Sequence, residues 1–490
     1  MNLKGKTIRA FLWVSSAKGF SQASSWLVTL ILARLLLPAD FGLLAIAWVF
    51  IGLLDLINEL GIGAAIIQKQ DLNEQDLHST FWFIIVTSSL LYLLSYLLAP
   101  TIARFFQNEQ LTPILRVLAL ILVIGAFKII PLNLLTKELD FPKRSTAEFL
   151  SVFTGGLFSV VLATLGHGVW SLVFGTLLRH TILTILVFWL SPWRPKLVFQ
   201  FKRIKRILSF GVTVAGSSVV WYFYSNSDSV IIGKLLGDKL LGYYSIALNL
   251  SNAPIGKLMN IINQVLFPVF SKLQNDMENL QLYFLKITRL VSLVTFPAMV
   301  GLFLVAESFI LVVLTDKWLP MLVPLRMLCL VAMIKSISQI IPTLLYARGK
   351  AKLVLKYNFA CLFIVPISIG FGSQFGINGV ALAMLIVYPL LSLYYFWYGL
   401  VELDIRVFSY LANLIPATVA TAFMAFIVVG LQYSSRLFLK NNVCFTLIGS
   451  CVIGAIAYLS FLAVCHRSIL NEVAGIFTSL KMRRLEDQPV

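Results

Sequence analysis

Charge is what this sequence has least of. Only 12% of its 490 residues are Asp, Glu, Lys or Arg, 59% are hydrophobic, and the mean hydropathy is +0.90. A soluble chain carries about 25% charged residues, so a water-soluble globular fold is excluded. Cysteine is scarce too. Cys329, Cys361, Cys444, Cys451 and Cys465 all fall in apolar stretches without metal-ligand spacing, and read as small buried hydrophobes. The four histidines are scattered, and no HExxH occurs. No GxxxxGK[ST] loop is present, because the Gly-Lys pairs at 5–6, 233–234, 256–257 and 349–350 lack the following Ser or Thr and the upstream Gly. No nucleophile has a base near it in sequence. A nucleotide site, a metal, a cofactor and covalent catalysis are therefore not expected.

What the chain does have is apolar length. Stretches of about 20 residues, each enough to cross a hydrocarbon core of about 30 Å, recur from end to end. They number about fourteen, from 10–37 to 442–465, with no soluble domain between any two. An all-α polytopic membrane protein follows, since a β-barrel would show short alternating segments instead. The start, MNLKGKTIRAFLW, imitates a signal peptide. Its apolar segment runs on to about Leu37 without a small-residue cleavage site, which reads as a retained first helix.

The excess of 39 basic over 21 acidic residues, +18 in all, is gathered in short loops. With the N-terminus inside, one side carries Lys4, Lys6, Arg9, Lys137, Lys143, Arg144, the run SPWRPKLVFQFKRIKR at 191–206, Arg348, Lys350, Lys352, Lys356, and the final Lys481, Arg483 and Arg484. The other side has nearly bare loops such as LGHG and FGING. This is the positive-inside pattern of a membrane protein with both termini cytoplasmic, not the footprint of a nucleic-acid binder. The run at 191–206 interleaves Trp193, Phe199 and Phe201 with its cations, and reads as a linker lying on the inner membrane surface. The tail from 467 to 490 reads as an amphipathic cytoplasmic helix ending in KMRR.

The chain also repeats itself. ILARLLLPADFGLLAIAWVF at 31–50 aligns without a gap on IIGKLLGDKLLGYYSIALNL at 231–250, with Ile31, Leu35, Leu36, Gly42, Ile46 and Ala47 facing Ile231, Leu235, Leu236, Gly242, Ile246 and Ala247. LRVLAL at 115–120 returns as LRMLCL at 325–330, IIPLNLL at 129–135 as IIPTLL at 340–345, and LGHGVWSL at 165–172 as FGINGVAL at 375–382. One six-helix unit is used twice. Six is even, so both copies point the same way, as in transporters that rock two lobes around a central site. The expected organisation is an N-lobe at 1–190, the basic linker at 191–206, a C-lobe at 207–400, two further helices at 401–466, and the tail.

The segments LARLLLPADFGLLAIA, ELGIGAAIIQ at 59–68, GHGVWSLV and SDSVIIGKLLGDKLLGYYSIA at 227–247 resemble a known family. It is that of Wzx-like, colanic-acid-exporter-type polysaccharide flippases, in the multidrug/oligosaccharidyl-lipid/polysaccharide superfamily. The resemblance covers essentially the whole chain. It implies a two-lobe, fourteen-helix fold with a central cavity in a bacterial inner membrane. It also implies non-enzymatic transfer of undecaprenyl-diphosphate-linked oligosaccharide from the inner to the outer leaflet, with membrane lipids and a glycan polymerase as partners.

The candidate functional residues are the polar and ionisable ones inside spans, where a central charge costs about 2.5–3.5 kcal/mol. In span eight, Asn249, Asn252, Gly256, Asn260 and Asn263 make one continuous helical face flanked by Lys257 and Gln264. Span one has Ser15, Lys18, Gln22, Ser25 and Thr29 on one face; span seven adds Ser217, Trp221, Tyr224, Ser225 and Asp228. In the family resembled, the first two helices of each lobe line the cavity. Amides, hydroxyls and aromatic rings suit sugars, and cations suit a diphosphate leaving water. Lys18 and Lys257, one from each lobe, lead that assignment, with Lys128 and Lys335 beside them; Arg179 is read as snorkelling. The alternatives are interhelical hydrogen bonding and snorkelling. Asp55, Glu59, Asp228 and Glu307 either pair with lysines or bind a coupling ion. The rival readings are a cation-coupled drug exporter, a lipid II flippase, and a membrane glycosyltransferase or polymerase, for which the outer loops are too short.

Overall fold

The computed structural model describes residues 3–59, 62, 63, 66, 72–138, 140–201, 204, 219–438 and 442–467. Among them every regular element is helical. In chain order these are α1 (Leu3–Leu35), α2 (Pro38–Glu59), α3 (Glu74–Phe106), α4 (Leu111–Leu118), α5 (Leu120–Lys137), α6 (Phe141–Thr164), α7 (Val169–Leu190), α8 (Ser227–Leu235) and α9 (Asp238–Lys272). There follow α10 (Met277–Phe309), α11 (Leu322–Ser338), α12 (Ile340–Ala347), α13 (Ala351–Ser373), α14 (Gly376–Glu402), α15 (Val407–Phe438) and α16 (Val443–Cys465). Eleven helical segments among the described residues are long and apolar enough to cross a membrane. The expected fourteen differ by three. Helices α1 and α9 form over 33 and 35 residues, but their polar faces lower their hydropathy. The start of the span expected at 207–232 lies outside the described residues.

The chain folds as two compact units, Met1–Gly242 and Tyr243–Val490. In the first, α6 packs between α1 and α7, and α5 lies against both α3 and α7. Small residues permit this closeness. A Cβ on Gly155 would fall 2.8 Å from the carbonyl oxygen of Gly175, and one on Gly156 would fall 2.7 Å from Val28 Cγ2. The non-helical strap after α7 is pinned to the start of α3. Trp82 Nε1 donates to the Lys196 carbonyl at 2.9 Å, the Lys196 N–H donates to His78 Nδ1 at 3.3 Å, and the Gln200 N–H donates to Ser79 Oγ at 3.1 Å. Trp193 is buried against His78 and Phe81.

In the second unit, α11 and α14 pack against each other, flanked by α10 and α13. Helices α15 and α16 grip α10 by its backbone. Asn413 Nδ2 donates to the Leu285 carbonyl at 2.8 Å, Gln432 Nε2 to Leu304 at 3.1 Å, and the Tyr458 hydroxyl to Leu293 at 2.7 Å. A helical carbonyl keeps a spare lone pair for such a bond. Between α10, α15 and α16 lies a cavity of about 540 Å³ walled by side chains such as Pro297, Leu302, Val428, Leu447 and Leu459. Cys329 and Cys361 are buried as expected, whereas Cys444, Cys451 and Cys465 are exposed on α16. An apolar helix that ends a bundle buries only one side, so apolar surroundings in sequence did not mean burial there.

Candidate functional site

The first unit gathers ionisable groups from four helices. On α2, Asp55 and Glu59 stand one turn apart, while Asn58 between them is buried and accepts a 2.7 Å hydrogen bond from Ser88 on α3. From α5, Lys128 reaches across to α7, where its Nζ lies 3.1 Å from His180 Nδ1. Asp55, Glu59, Glu148 of α6 and Arg179 of α7 all lie within electrostatic reach of Lys128. Glu59 also shares a pocket with Asn133, for a Cβ on Gly63 would fall 3.2 Å from Glu59 Oε1 and 3.0 Å from the Asn133 amide. Toward the end of α5, Arg144 bridges Thr136 and Glu148, at 2.8 Å to each. The cluster thus mixes acids and bases, with Arg144 and Glu148 in direct contact and the acids of α2 within electrostatic reach of Lys128.

Tyr222 closes on the same helix α2. Its hydroxyl donates to the carbonyls of Trp48 and Val49 at 3.1 and 2.8 Å, and it reaches them because Gly52 offers no side chain. Neither Tyr222 nor His180 stands out in the sequence. The histidine is isolated there, and only packing of α5 on α7 makes it the partner of Lys128.

The other candidates of this unit are placed more separately. Gln22 is half-buried on α1, Trp221 is exposed, and Tyr224 is half-buried. Asp228 is buried at the start of α8, where its Oδ1 accepts the Ser229 N–H at 2.7 Å. The side chains of Lys18, Lys257, Asn260 and Asn263 lie outside the described residues, although α1 and α9 carry them.

In the second unit Asn249 is exposed and Asn252 half-buried on α9. Lys335 of α11 places its Nζ 3.8 Å from the ring centroid of Tyr388 on α14, a cation–π contact. On α13 and α14, Tyr357 and Tyr395 stack at 3.7 Å. Glu307 faces Arg326 at 3.8 Å, a partly exposed ion pair. Among the described residues no group of three or more His, Cys, Asp or Glu could hold a metal ion.

Comparison with known proteins gives these positions a context. Residues 31–323 match the family described as "Polysaccharide biosynthesis protein". The chain is 31% identical over 396 residues to the lipopolysaccharide biosynthesis protein WzxC of Escherichia coli K12, covering 79% of each chain. It is 28% identical over 419 residues to the teichuronic acid biosynthesis protein TuaB of Bacillus subtilis 168, covering 84% of this chain and 86% of that one. Among solved structures, the lipid II flippase MurJ in an inward closed conformation superposes with a TM-score of 0.75 at 17% identity, over 94% of this chain and 100% of that one. That likeness is one of fold.

Proposed function

The chain belongs to the polysaccharide biosynthesis protein family, and from that premise we propose that it is a flippase. It carries undecaprenyl-diphosphate-linked oligosaccharide from the inner to the outer leaflet of the bacterial inner membrane, for O-antigen, exopolysaccharide or capsule assembly. The observation that carries this reading is the 31% identity over four-fifths of the chain to a lipopolysaccharide biosynthesis protein. The lysines at membrane depth agree with it, since a diphosphate leaving water needs cations.

In this proposal fourteen helices cross the membrane, with α1, the span at 207–232 and α9 joining the eleven apolar ones, and both termini are cytoplasmic. Lys18, Gln22, Trp221, Tyr224, Asn249, Asn252, Lys257, Asn260 and Asn263 line the substrate path, with Lys128 and Lys335 as further cations. Asp55, Glu59 and Asp228 are the coupling-ion candidates, and Glu307 serves its arginine. Transfer is a movement without covalent chemistry, and the glycan polymerase receives the product. Two negative charges moving outward down about 100 mV release about 4–5 kcal/mol, so the membrane potential alone is able to drive export.

The test uses the full-length protein in liposomes. A fluorescent undecaprenyl-diphosphate oligosaccharide is placed in one leaflet, and its exposure to an external pyrophosphatase is followed. Protein-dependent exposure, slowed in Lys18→Ala and Lys257→Ala, is expected. No exposure from protein that does exchange organic cations for a coupling ion would move the chain to the drug-exporter reading.

A further inference from the structure

The internal repeat carries an arginine at the same place in both copies, Arg116 in LRVLAL and Arg326 in LRMLCL, and the structure seats both alike. Arg116, on α4, donates from Nε to the Tyr96 carbonyl of α3 at 3.4 Å, and its Cζ lies 4.1 Å from the Tyr96 ring centroid. Arg326, on α11, donates from Nε to the Phe303 carbonyl of α10 at 3.3 Å, and its Cζ lies 5.8 Å from the Phe303 ring centroid. Each guanidinium thus rests on a ring and turns one edge to the backbone of the same residue. The two copies differ one turn after the ring. Glu307 stands there in α10, and its Oε2 lies 3.8 Å from Arg326 Nη2. Pro100 stands there in α3.

Proline has no N–H to offer the carbonyl four residues earlier, so Pro100 leaves the Tyr96 carbonyl without its helical donor. Arg116 Nε takes that place. A carbonyl satisfies a donor but does not neutralise a charge, and among the described residues no carboxylate pairs with Arg116. The surface around it is apolar. Leu93 and Leu97 of α3 are 52% and 65% exposed, and the Tyr92 ring centroid lies 6.2 Å from that of Tyr96. An exposed leucine face on a spanning helix meets lipid, where an unpaired charge is costly. A loose arginine there would snorkel to water, but two contacts hold this one on Tyr96. A planar fork fixed by its Nε keeps its Nη groups for an acceptor, and phosphate fits that geometry. The second unit marks where the anion stands, because Glu307 already occupies the place beside Arg326.

We infer that Arg116, seated on Tyr96, binds the phosphate of an anionic lipid, and that the second unit lacks this site because Glu307 fills it. In the proposed orientation the lipid belongs to the outer leaflet. Only that placement rests on the reading above; the site itself rests on the arginine, the ring and the proline.

The experiment reconstitutes the full-length protein in nanodiscs of phosphatidylcholine carrying a small fraction of photoactivatable phosphatidylglycerol, and reads the crosslinks by peptide. In the parent, α3 around Tyr96 is expected to be labelled well above α10 around Phe303. Pro100→Glu keeps Arg116 but supplies the carboxylate that the second unit has. It is expected to cut the α3 label roughly tenfold, as is Arg116→Gln. Glu307→Gln is expected to raise the α10 label, since it bares Arg326. A photoactivatable diacylglycerol, which has the tails without the phosphate, is expected to label each surface equally in parent and variants. Equal phosphatidylglycerol labelling around Tyr96 in the parent, Pro100→Glu and Arg116→Gln overturns the inference. A loss that the diacylglycerol shares does the same, because the phosphate then plays no part. Competition identifies the source. Unlabelled undecaprenyl diphosphate that displaces the probe far better than unlabelled phosphatidylglycerol makes the bound lipid one of the proposed substrate's kind, and equal displacement makes it a membrane phospholipid. No transport is measured, so a protein that moves no oligosaccharide defeats the flippase reading and leaves the site standing.

Discussion

Lys128 Nζ lies 3.1 Å from His180 Nδ1, so the histidine ring is the hydrogen-bond partner of the lysine; with the lysine as donor, the histidine proton sits on Nε2. In the second unit a lysine of the matching span, Lys335, also meets a ring from the matching partner span, but on the face of Tyr388 rather than at a lone pair. One unit fixes its lysine by a directed hydrogen bond, the other by a π face.

That difference makes His180 testable apart from transport. His180→Phe keeps a ring but removes the ring nitrogen, and leaving a partly buried polar group short of a partner costs about 1–3 kcal/mol. His180→Asn places an oxygen near the position of Nδ1 and is expected to lose clearly less. Thermal unfolding of the purified protein checks the order. Equal losses for Phe and Asn would mean that the ring volume, not the hydrogen bond, matters.

One end of the second unit is tied together by Arg348. Its Nε donates to Glu402 Oε1 at 2.9 Å, its Nη1 donates to the Gln274 carbonyl, and Lys350 adds a second cation 3.6 Å from Glu402 Oε2. One side chain thus joins three turns. Arg348→Ala is expected to lower stability by about 1–3 kcal/mol, as for hydrogen bonds to charged groups that are partly shielded. Glu402→Gln should cost less, and the double variant less than the sum, because both changes remove the same bond. Additive losses in a thermal-melt cycle would show that the two residues act independently.

Asp276 caps α10 from outside the membrane. The Asn279 side chain donates to its Oδ2 at 2.7 Å and the Asn279 N–H to its Oδ1 at 3.2 Å. These bonds, the side-chain one first, hold the carboxyl below the usual carboxylate range. A depressed carboxylate contributes stability that is present above its unfolded pKa, about 3.9, and is lost as pH falls through the folded value. Melting temperature in Asp276→Asn is therefore expected to match the parent's pH dependence above pH ~5 and to fall less steeply below pH ~4. Parallel curves across that range would remove Asp276 from the acid response.

How much of this was legible in the sequence depends on spacing. The repeat places Gly42 and Gly242 in register, and helical periodicity places Asp55 and Glu59 on one α2 face. Both are patterns that a linear reading of the chain reveals. His180 and Tyr222 act through contacts across 52 and more than 170 residues, and no spacing rule encodes those. The same logic explains α1 and α9. Their length was legible, but the polar residues that mark them as functional candidates also lower their hydropathy below that of the eleven apolar spans. Exposure of Cys444, Cys451 and Cys465 depended on which side of α16 meets the bundle, which an evenly apolar sequence does not show.

The strap after α7 carries the last prediction. It is irregular, yet its backbone is bonded to α3 through Trp82, His78 and Ser79, and Trp193 fills the space between His78 and Phe81, with ring centroids 5.4 and 5.6 Å away. Buried Trp193 turns Leu197, Phe199 and Phe201 outward, exposed by 89%, 56% and 66%, beside Lys196. Order in this segment comes from the tryptophan key, since an irregular backbone has no ladder of its own. Truncating a buried tryptophan costs about 3–5 kcal/mol. If that energy holds the strap closed, Trp193→Ala raises the open population, and with it tryptic cleavage after Lys196, by roughly a hundredfold or more. Trp82→Phe removes only one hydrogen bond, worth about 1 kcal/mol, and should raise cleavage about fivefold. The ranking separates a keyed strap from one held by its hydrogen bonds. Larger cleavage in Trp82→Phe than in Trp193→Ala would give the hydrogen bond the leading role, and parental cleavage in both would mean that the lipid surface, not α3, holds the strap.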